Sequence, residues 1–454
     1  MNMRKTKIIC TLGPAVDHAE TIERLIRTGM NAARFNFSHG SHAEQLARLN
    51  MFKKVRDTLG APVATILDTK GPEIRIKTFA DGPVTLEQGQ GFILTTDDVP
   101  GDGRRVSVTY ANLHKEVGPG CRILVDDGLI ELRVQKVEGH EIHCEVENGG
   151  PLSSNKSINI PDVHILLPSL TDKDREDLKF AVDNDFDFIA ASFVRKASDV
   201  EDIRAELRKH GGDNIRIIAK IENREGVENL EGIIAASDGI MVARGDLGVE
   251  IPAHEVPILQ KKMIKATIRA GLPVITATQM LDSMIRNPRP TRAEVSDVAN
   301  AVFDGTSCVM LSGETASGKY PIEALSTMVN TVTAAEEAID YWGRFRERSL
   351  LPVVSGISDA ITHSCCLTAM DLNASAILAA TRSGYTAKVI SRFRPACPMQ
   401  VNKVLYHVFV DRTSISPIRT GGIPPVSQQI QRRESLLSRD REPVPQGIPQ
   451  HFTC

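Results

Sequence analysis

Eight short apolar runs, spaced along much of the chain, constrain its fold more than any other feature. They cover residues 7–12, 31–37, 63–68, 187–194, 215–221, 238–243, 273–278 and 307–311. Runs that are apolar on both faces are typical of parallel strands covered on both sides. Helical patterns lie between them at about 18–28, 41–58, 172–184, 197–210, 224–235, 253–270 and 291–302. Three of these begin with a capping box, starting at Ser41, Ser198 and Thr291.

This alternation predicts an α/β fold, a (β/α)8 TIM barrel, with a doubly wound open sheet as the alternative. No GxGxxG fingerprint follows the first run, which disfavours the open sheet. Between residues 70 and 168 the pattern changes to short β-like pieces separated by Asp-Gly and Glu-Gly turns, which predicts a small inserted β-barrel lid domain. We therefore expect a barrel over 1–69 and 169–342, a lid over 70–168, and an incomplete C-terminal α/β domain over 343–400.

The remaining segment, 401–454, has an unusual composition, with six prolines and six arginines and few long apolar runs. Such a segment cannot bury enough surface to order itself, so we predict that it is an atypical, largely disordered tail that protease removes rapidly. The strand predicted at 376–381 is then expected to lack sheet neighbours.

Composition excludes several classes of function. The net charge of −3 argues against nucleic acid as the main partner, and no apolar run approaches the roughly 18 residues of a membrane span. The cysteines show no CxxC spacing, which makes a zinc site unexpected and indicates reduced thiols in a cytoplasmic protein.

Polar residues cluster where the predicted strands end, and active sites of such barrels lie at the C-terminal ends of the strands. The residues concerned are Arg34, Asn36, Ser38, Asp68, Thr69, Lys220, Glu222, Arg244, Asp246, Thr278, Gln279, Ser312 and Glu314. In an extended run alternate residues share one face, so Lys220 and Glu222 should point the same way, as should Arg34, Asn36 and Ser38. A lysine beside the carboxylates of Glu222 and Asp246 suits a hard cation and a phosphate, while a structural ion pair is the alternative.

Seven motifs in this chain resemble pyruvate kinase, and they occur in that family's order. They are TKIICTLGP at 6–14, NFSHG at 36–40, LDTKGPEIR at 67–75, IIAKIEN at 217–223, MVARGDLG at 241–248, TATQML at 276–281 and MLSGETA at 310–316. The resemblance covers about residues 4–400 and implies transfer of a phosphoryl group from phosphoenolpyruvate to ADP, with Mg²⁺ (or Mn²⁺) and K⁺. It also implies the barrel, lid and C-terminal domain described above, and usually a homotetramer, which the atypical tail places in doubt.

The resemblance assigns a role to each matching residue. Catalysis would fall to Lys220, Arg34 and Thr278. Phosphoenolpyruvate would be bound by Arg34, Lys220, Gly245, Asp246 and Thr278. The nucleotide would contact Asn36, His39, Arg75 and Lys156. Mg²⁺ would be bound by Glu222 and Asp246, and K⁺ by Asn36, Ser38, Asp68 and Thr69.

The C-terminal part leaves the activity open. The stretch TRSGYTA at 381–387 resembles the effector-phosphate loop of regulated relatives, although an ordinary turn between strand and helix is as good an interpretation. The leading hypothesis is an active pyruvate kinase. The alternative is a folded but inactive relative with a damaged C-terminal domain, whose function, if it has one, would be binding. A third, another phosphoenolpyruvate-handling barrel such as an aldolase-like enzyme, does not account for the inserted domain.

Overall fold

The computed structural model describes residues 4–161, 163–349, 356–381 and 384–403. Its strands are β1 Lys7–Leu12, β2 Ala32–Asn36, β3 Ala64–Asp68, β4 Ile74–Arg75, β5 Val84–Leu86, β6 Gly91–Thr95, β7 Arg105–Ser107, β8 Arg122–Val125, β9 Ile130–Glu138, β10 Glu141–Asn148, β11 Gly150–Leu152, β12 Ser157–Asn159, β13 Phe188–Ala191, β14 Arg216–Ile221, β15 Gly239–Ala243, β16 Val274–Ala277, β17 Cys308–Leu311, β18 Ile377–Thr381 and β19 Met399–Lys403.

The α-helices occupy the connections between these strands and most of the C-terminal part. They are α1 Ala19–Thr28, α2 His42–Leu59, α3 Leu113–Glu116, α4 Asp172–Asp183, α5 Ala197–Lys209, α6 Arg224–Glu228, α7 Leu230–Ala236, α8 Arg244–Glu250, α9 Val256–Arg269, α10 Arg292–Asp304, α11 Gly313–Ala316, α12 Pro321–Glu337, α13 Tyr341–Ser349, α14 Ile357–Asp371 and α15 Tyr385–Ser391. Two short 3₁₀ helices cover Pro14–Val16 and Asp282–Ile285. None of the helices in these described ranges combines the length and apolar composition needed to cross a bilayer.

Eight strands close into a parallel barrel in the order β1-β17-β16-β15-β14-β13-β3-β2. These are the eight apolar runs of the sequence, so the predicted barrel is confirmed and the open sheet is wrong. Both faces of each strand are buried. Within β14, Ile218 belongs to the cluster that fills the barrel interior, whereas Ile217 and Ala219 pack outward against the helices. The strands are therefore apolar throughout until their C-terminal ends, where the polar residues begin.

The inserted segment forms the predicted small β structure. Its seven-stranded sheet runs β4-β12-β8-β9-β10-β6-β7, and β5 pairs with β11 beside it. The edge strands β4 and β7 are also joined, because Lys77 N–H donates to the Ser107 carbonyl at 2.7 Å and Thr109 N–H donates to the Arg75 carbonyl at 2.9 Å. These bonds close the sheet into a second, smaller barrel with its own apolar core.

One prediction about the C-terminal part is wrong. The strand expected at 376–381 is observed as β18, but it does not lack a neighbour, since β19 pairs with it in parallel register. Strand β19 extends three residues into the segment predicted to be disordered. In β19 the apolar Met399 and Val401 alternate with polar residues, and Met399 is buried. Five residues are too few for this alternation to be recognised as a strand beside the polar sequence that follows. The predicted disorder and protease sensitivity beyond residue 403, and Arg382 and Ser383 of the effector-like loop, lie outside the described residues.

Two helix predictions also need correction. The helix expected at 224–235 is divided at Asn229 into α6 and α7. The capping boxes at Ser41 and Thr291 are present, but Ser198 does not cap a helix, because α5 already begins at Ala197 after Lys196. A capping box that the sequence analysis missed begins α4. There the Thr171 side chain accepts the Asp174 N–H, and the Asp174 side chain accepts the Thr171 N–H.

A buried lysine at the other end of the barrel gives a prediction about stability. Lys7 is 9% exposed, and its ammonium donates to the Arg4 carbonyl at 2.8 Å. Burial, followed by the charge of Arg394, lowers the pKa of Lys7 from 10.5 to about 7, although Glu336 and Cys308 oppose this. Between these two pH values the unfolded chain binds a proton that the folded chain does not, so the free energy of unfolding rises with pH.

We expect Lys7→Met to abolish this rise. From roughly pH 7 to pH 9 the free energy of unfolding of the wild type should increase by about 2 kcal/mol more than that of the variant. Urea denaturation of wild type and variant across that range measures the difference. Parallel pH profiles would contradict the lowered pKa of this side chain.

Candidate active site

The alternation of β14 carries Lys220 into the barrel mouth. Ile218 fills the interior one layer below, and Lys220 follows on the same face at the end of the strand. Lys220 is 8% exposed, and its ammonium donates to Ser192 Oγ at 2.7 Å and to Asp68 Oδ1 at 3.2 Å. Glu222 Oε1 lies 2.9 Å from the same nitrogen. The predicted shared face of Lys220 and Glu222 is therefore confirmed.

The charge of Lys220 is maintained by its neighbours. Burial alone would favour the neutral amine, but the carboxylates of Asp68, Glu222 and Asp246 outweigh it and raise the pKa of Lys220 above its ordinary value. The lysine is thus a fixed cation, held on three sides at a position where the strands end.

Arg34 supplies a second cation beside it. Its Nε lies 2.6 Å from Asp68 Oδ2, and its Nη1 donates to Thr11 Oγ1 at 3.1 Å. Asp68 is 1% exposed, and although burial opposes its charge, Arg34 and then Lys220 lower its pKa below the ordinary value. Asp68 is therefore an anionic support that positions both cations.

Glu222 is fully buried beside Lys220. Its Oε2 accepts the Phe193 N–H at 2.6 Å, and its Oε1 forms an ion pair with the Lys220 ammonium at 2.9 Å. Burial raises the pKa of Glu222 to about 7, and Asp246 adds to this effect while Lys220 opposes it. A buried carboxylate needs a compensating charge, and Lys220 supplies it in part here.

Two residues of the site were missed by the sequence analysis. Ser192 donates to the Thr69 carbonyl at 2.7 Å while accepting from Lys220. Phe193 has a φ of +55°, a strained conformation for a bulky residue, and this conformation directs its N–H to Glu222. The position of Ser192 just after β13 matches the strand-end rule, so the serine could have been found; the backbone role of Phe193 leaves no mark in the sequence.

The loop after β15 approaches the loop after β16. Helix α8 begins at Arg244, so Gly245 and Asp246 lie in its first turn, as their predicted role requires. The Gly245 N–H donates to Thr278 Oγ1 at 2.7 Å. Asp246 lies close enough to Lys220 and Glu222 for its charge to shift both pKa values. The structure therefore brings Gly245, Asp246 and Thr278 together beside the buried charges.

A cavity of about 450 Å³ lies between the small barrel and the large one. Asp246 lines it from the large barrel, and Arg75 and Lys156 line it from the insertion. Arg75 holds Glu73 in a bidentate pair at 2.6 and 2.9 Å, and Lys156 lies 2.8 Å from Asp126. Asn36 and His39, which were grouped with these two as nucleotide contacts, do not line this cavity, and His39 is exposed.

The residues predicted for a monovalent cation lie on adjacent strands. Asn36 is directly opposite Asp68 in the β2–β3 pairing. Asn36 Oδ1 accepts the Ser38 N–H at 3.1 Å, and Thr69 Oγ1 accepts the Ser192 N–H at 3.2 Å. Asn36 and Asp68 therefore lie side by side, and the oxygens of Asn36 and Thr69 already accept backbone N–H groups.

The other strand-end residues support loops. Arg244 donates to the Thr278 carbonyl at 2.7 Å and pairs with Asp297 at 2.7 Å. Glu314 accepts the Leu281 N–H at 3.0 Å and the Ser312 N–H at 2.7 Å, and burial raises its pKa. These contacts tie the loops after β15, β16 and β17 to one another.

Two family models match the chain. One, described as the pyruvate kinase barrel domain, matches residues 3–325, and one described as the pyruvate kinase alpha/beta domain matches residues 359–440. The second match continues past residue 400, so similarity to the family extends into the segment of unusual composition.

Individual relatives agree with these matches. A pyruvate kinase of Clostridium acetobutylicum is 50% identical over 398 residues, which cover 87% of this chain and 84% of the relative. A pyruvate kinase of Staphylococcus saprophyticus is 53% identical over 395 residues, covering 87% of this chain and 67% of the relative. The chain therefore belongs to the pyruvate kinase family of phosphotransferases.

Proposed function

We propose that this chain transfers the phosphoryl group of phosphoenolpyruvate to ADP, giving pyruvate and ATP, with Mg²⁺ (or Mn²⁺) and K⁺. One observation carries the proposal. The Lys220 ammonium is fixed by Asp68, Ser192 and Glu222, close enough to Asp246 for that second carboxylate to raise its pKa. A fixed cation beside two carboxylates suits a metal-bound anionic substrate.

Glu222 and Asp246 are the residues that would hold Mg²⁺. Among the described residues, no three His, Cys, Asp or Glu side chains form a metal site by themselves. That finding fits Mg²⁺, which is usually bound through one or two carboxylates together with substrate oxygens and water. When bound, the ion would polarise substrate oxygens and offset the charge of the two carboxylates.

Lys220 and Arg34 would act on the phosphoryl group. Lys220 lies where charge develops as the group is transferred and the enolate is left behind, and a preorganised cation there stabilises the transition state. Arg34 is held by Asp68 and Thr11, so its planar fork is oriented before substrate arrives.

The Gly245–Asp246 turn and Thr278 would handle the remainder of the substrate. Backbone N–H groups at the start of α8 favour a carboxylate. The Gly245 N–H donates to Thr278 Oγ1, so the Thr278 hydroxyl would lie beside the enolate of a substrate bound at this turn. We propose that this hydroxyl takes part in protonation of the enolate, through a chain of water molecules.

The inserted domain, residues 70–168, would act as the lid over the nucleotide. Arg75 and Lys156 line the cavity opposite Asp246, which supports a role for both in contacting ADP. Asn36, Ser38, Asp68 and Thr69 would bind K⁺, with Asn36 and His39 reaching the nucleotide from the barrel.

All seven cysteines in the described ranges are free thiols, which supports a reducing compartment such as the cytoplasm.

A coupled assay for pyruvate formation tests the proposal directly. Pyruvate should form from phosphoenolpyruvate only when ADP and Mg²⁺ are present, in a sample whose intact mass matches the 454-residue chain. A folded protein of the correct mass that forms no pyruvate would favour the inactive relative instead.

The monovalent cation requirement gives a further prediction. Relatives that dispense with K⁺ resemble this motif but carry lysine where this chain has Glu73. In a buffer free of sodium and potassium we expect activity to fall by about tenfold or more, and Glu73→Lys to relax that dependence. Because Glu73 also pairs with Arg75 and with Lys70 at 3.1 Å, the variant should raise KM for ADP as well.

Glu73→Gln provides the control, since it removes the same ion pairs without adding a cation. Activity assays with and without KCl should then show a restored rate for the lysine variant alone. Full wild-type activity without any monovalent cation would refute the requirement.

A further inference from the structure

A single buried carboxylate contacts both chain crossings between the barrel and the inserted domain. The chain leaves the barrel after β3 and returns just before α4. Asp174, in the first turn of α4, is 1% exposed. Its Oδ2 accepts the N–H and the hydroxyl of Thr171, on the returning crossing, at 2.9 and 2.6 Å. Its Oδ1 accepts the N–H of Gly71, on the outgoing crossing, at 2.9 Å.

Helix capping alone does not require this arrangement. In the capping box of α2, the corresponding Glu44 is exposed and accepts only from the N–H and hydroxyl of Ser41, at 2.7 and 3.0 Å, among the described residues. Asp174 does the same for Thr171 and in addition reaches a residue 103 positions away. The bond to Gly71 is therefore the feature that capping leaves unexplained.

Gly71 connects this carboxylate to the candidate active site. Its φ is +72°, and a Cβ there would lie 2.8 Å from Ser192 Cβ and 3.0 Å from the Ser192 carbonyl oxygen. The outgoing crossing is thus packed directly on Ser192, whose hydroxyl accepts from Lys220 and donates to the Thr69 carbonyl. A shift of Gly71 would be transmitted to the groups that hold Lys220.

The residue that precedes Asp174 in α4 supports the neighbouring loop. Lys173 donates to the Phe37 carbonyl at 2.8 Å and to Asp177 at 2.7 Å, and Asp177 is fully buried and also lies 2.6 Å from His42 Nε2. The first turn of α4 therefore holds the loop after β2 as well as the loop after β3.

We propose that Asp174 is a positioning residue that joins the two crossings into one hinge and so sets the orientation of the lid and of the Asp68–Thr69 loop. The kinetic consequences of this inference rest on the proposed function. The structural consequence does not, because the hinge exists whether or not the chain turns over substrate.

Asp174→Asn tests the proposal, since an amide cannot accept from Gly71 and from both Thr171 donors at once. We expect amide hydrogen exchange at Lys70, at Gly71 and at residues 169–171 to become about tenfold faster or more. KM for ADP should rise about tenfold because the lid carries the nucleotide contacts, and the rate of phosphoryl transfer should fall because the Asp68–Thr69 loop holds Lys220 and Arg34.

Two control variants distinguish the loss of the bond between Asp174 and Gly71 from the loss of a helix cap. Glu44→Gln removes the matched capping carboxylate, and its faster exchange should be confined to the start of α2, with unchanged kinetics. Thr171→Ala weakens the cap of α4 but keeps the Asp174–Gly71 bond, so it should lower stability without raising KM for ADP.

Three outcomes decide the matter. Equal effects of Thr171→Ala and Asp174→Asn on KM for ADP would overturn the proposal, as would exchange that quickens only within α4. If wild type forms no pyruvate but Asp174→Asn still loosens both crossings, the hinge stands and the proposed function fails.

Discussion

Replacing Lys220 with methionine is expected to lower the rate of phosphoryl transfer by about 10³-fold or more. The variant nearly keeps the length of the side chain but removes the ammonium that contacts Asp68, Ser192 and Glu222 together. The barrel should still fold, because Arg34 continues to neutralise Asp68. Loss of one partner from this buried cluster should nevertheless lower the free energy of unfolding by about 3 kcal/mol.

Lys7→Met is the matched control for this experiment. Both lysines are buried in strands of the same barrel, but Lys7 lies at the start of β1 and Lys220 at the end of β14. We expect Lys7→Met to retain the wild-type rate of pyruvate formation. Near-normal turnover of purified Lys220→Met, at a temperature where it is folded by circular dichroism, would remove Lys220 from the mechanism.

The barrel was predictable because burial leaves a mark in the sequence. Parallel strands covered on both faces must be apolar throughout, so each run that ended in polar residues gave both the strand and its C-terminal end. Because side chains alternate along a strand, the sequence also predicted which strand-end residues point into the barrel mouth. The structure brings four of them into contact: Arg34, Asp68, Lys220 and Glu222.

What the sequence could not supply depends on contacts between distant segments. Asp174 looks like an ordinary residue of a polar helix start, and only the folded chain brings it to Gly71. The strained backbone of Phe193 follows from its loop and not from its side chain. Strand β19 was missed because five residues of mixed polarity do not indicate a strand by themselves. They form one here by pairing with β18.

Thr278 has a conformation that suggests function. Its φ is +67°, and that of the following Gln279 is +52°, although a β-branched residue seldom adopts such values. Arg244 holds its carbonyl at 2.7 Å, and its hydroxyl accepts from Gly245 and donates to the Ala277 carbonyl at 2.6 Å. Strain that the surroundings maintain in this way is typical of active sites.

Thr278→Val, which keeps the shape and removes the hydroxyl, is expected to slow enolate protonation by about 10²-fold and phosphoryl transfer by less than about fivefold. Exchange of the C3 protons of pyruvate with solvent measures enolate protonation alone, and ATP formed in a single turnover measures phosphoryl transfer. Thr278→Ser should restore exchange because it returns the hydroxyl. Thr276→Val, on the same strand, breaks a buried bond to Thr306 and should cost stability only. Equal losses in both half-reactions, with no rescue by serine, would mean that Thr278 merely positions the Gly245 turn.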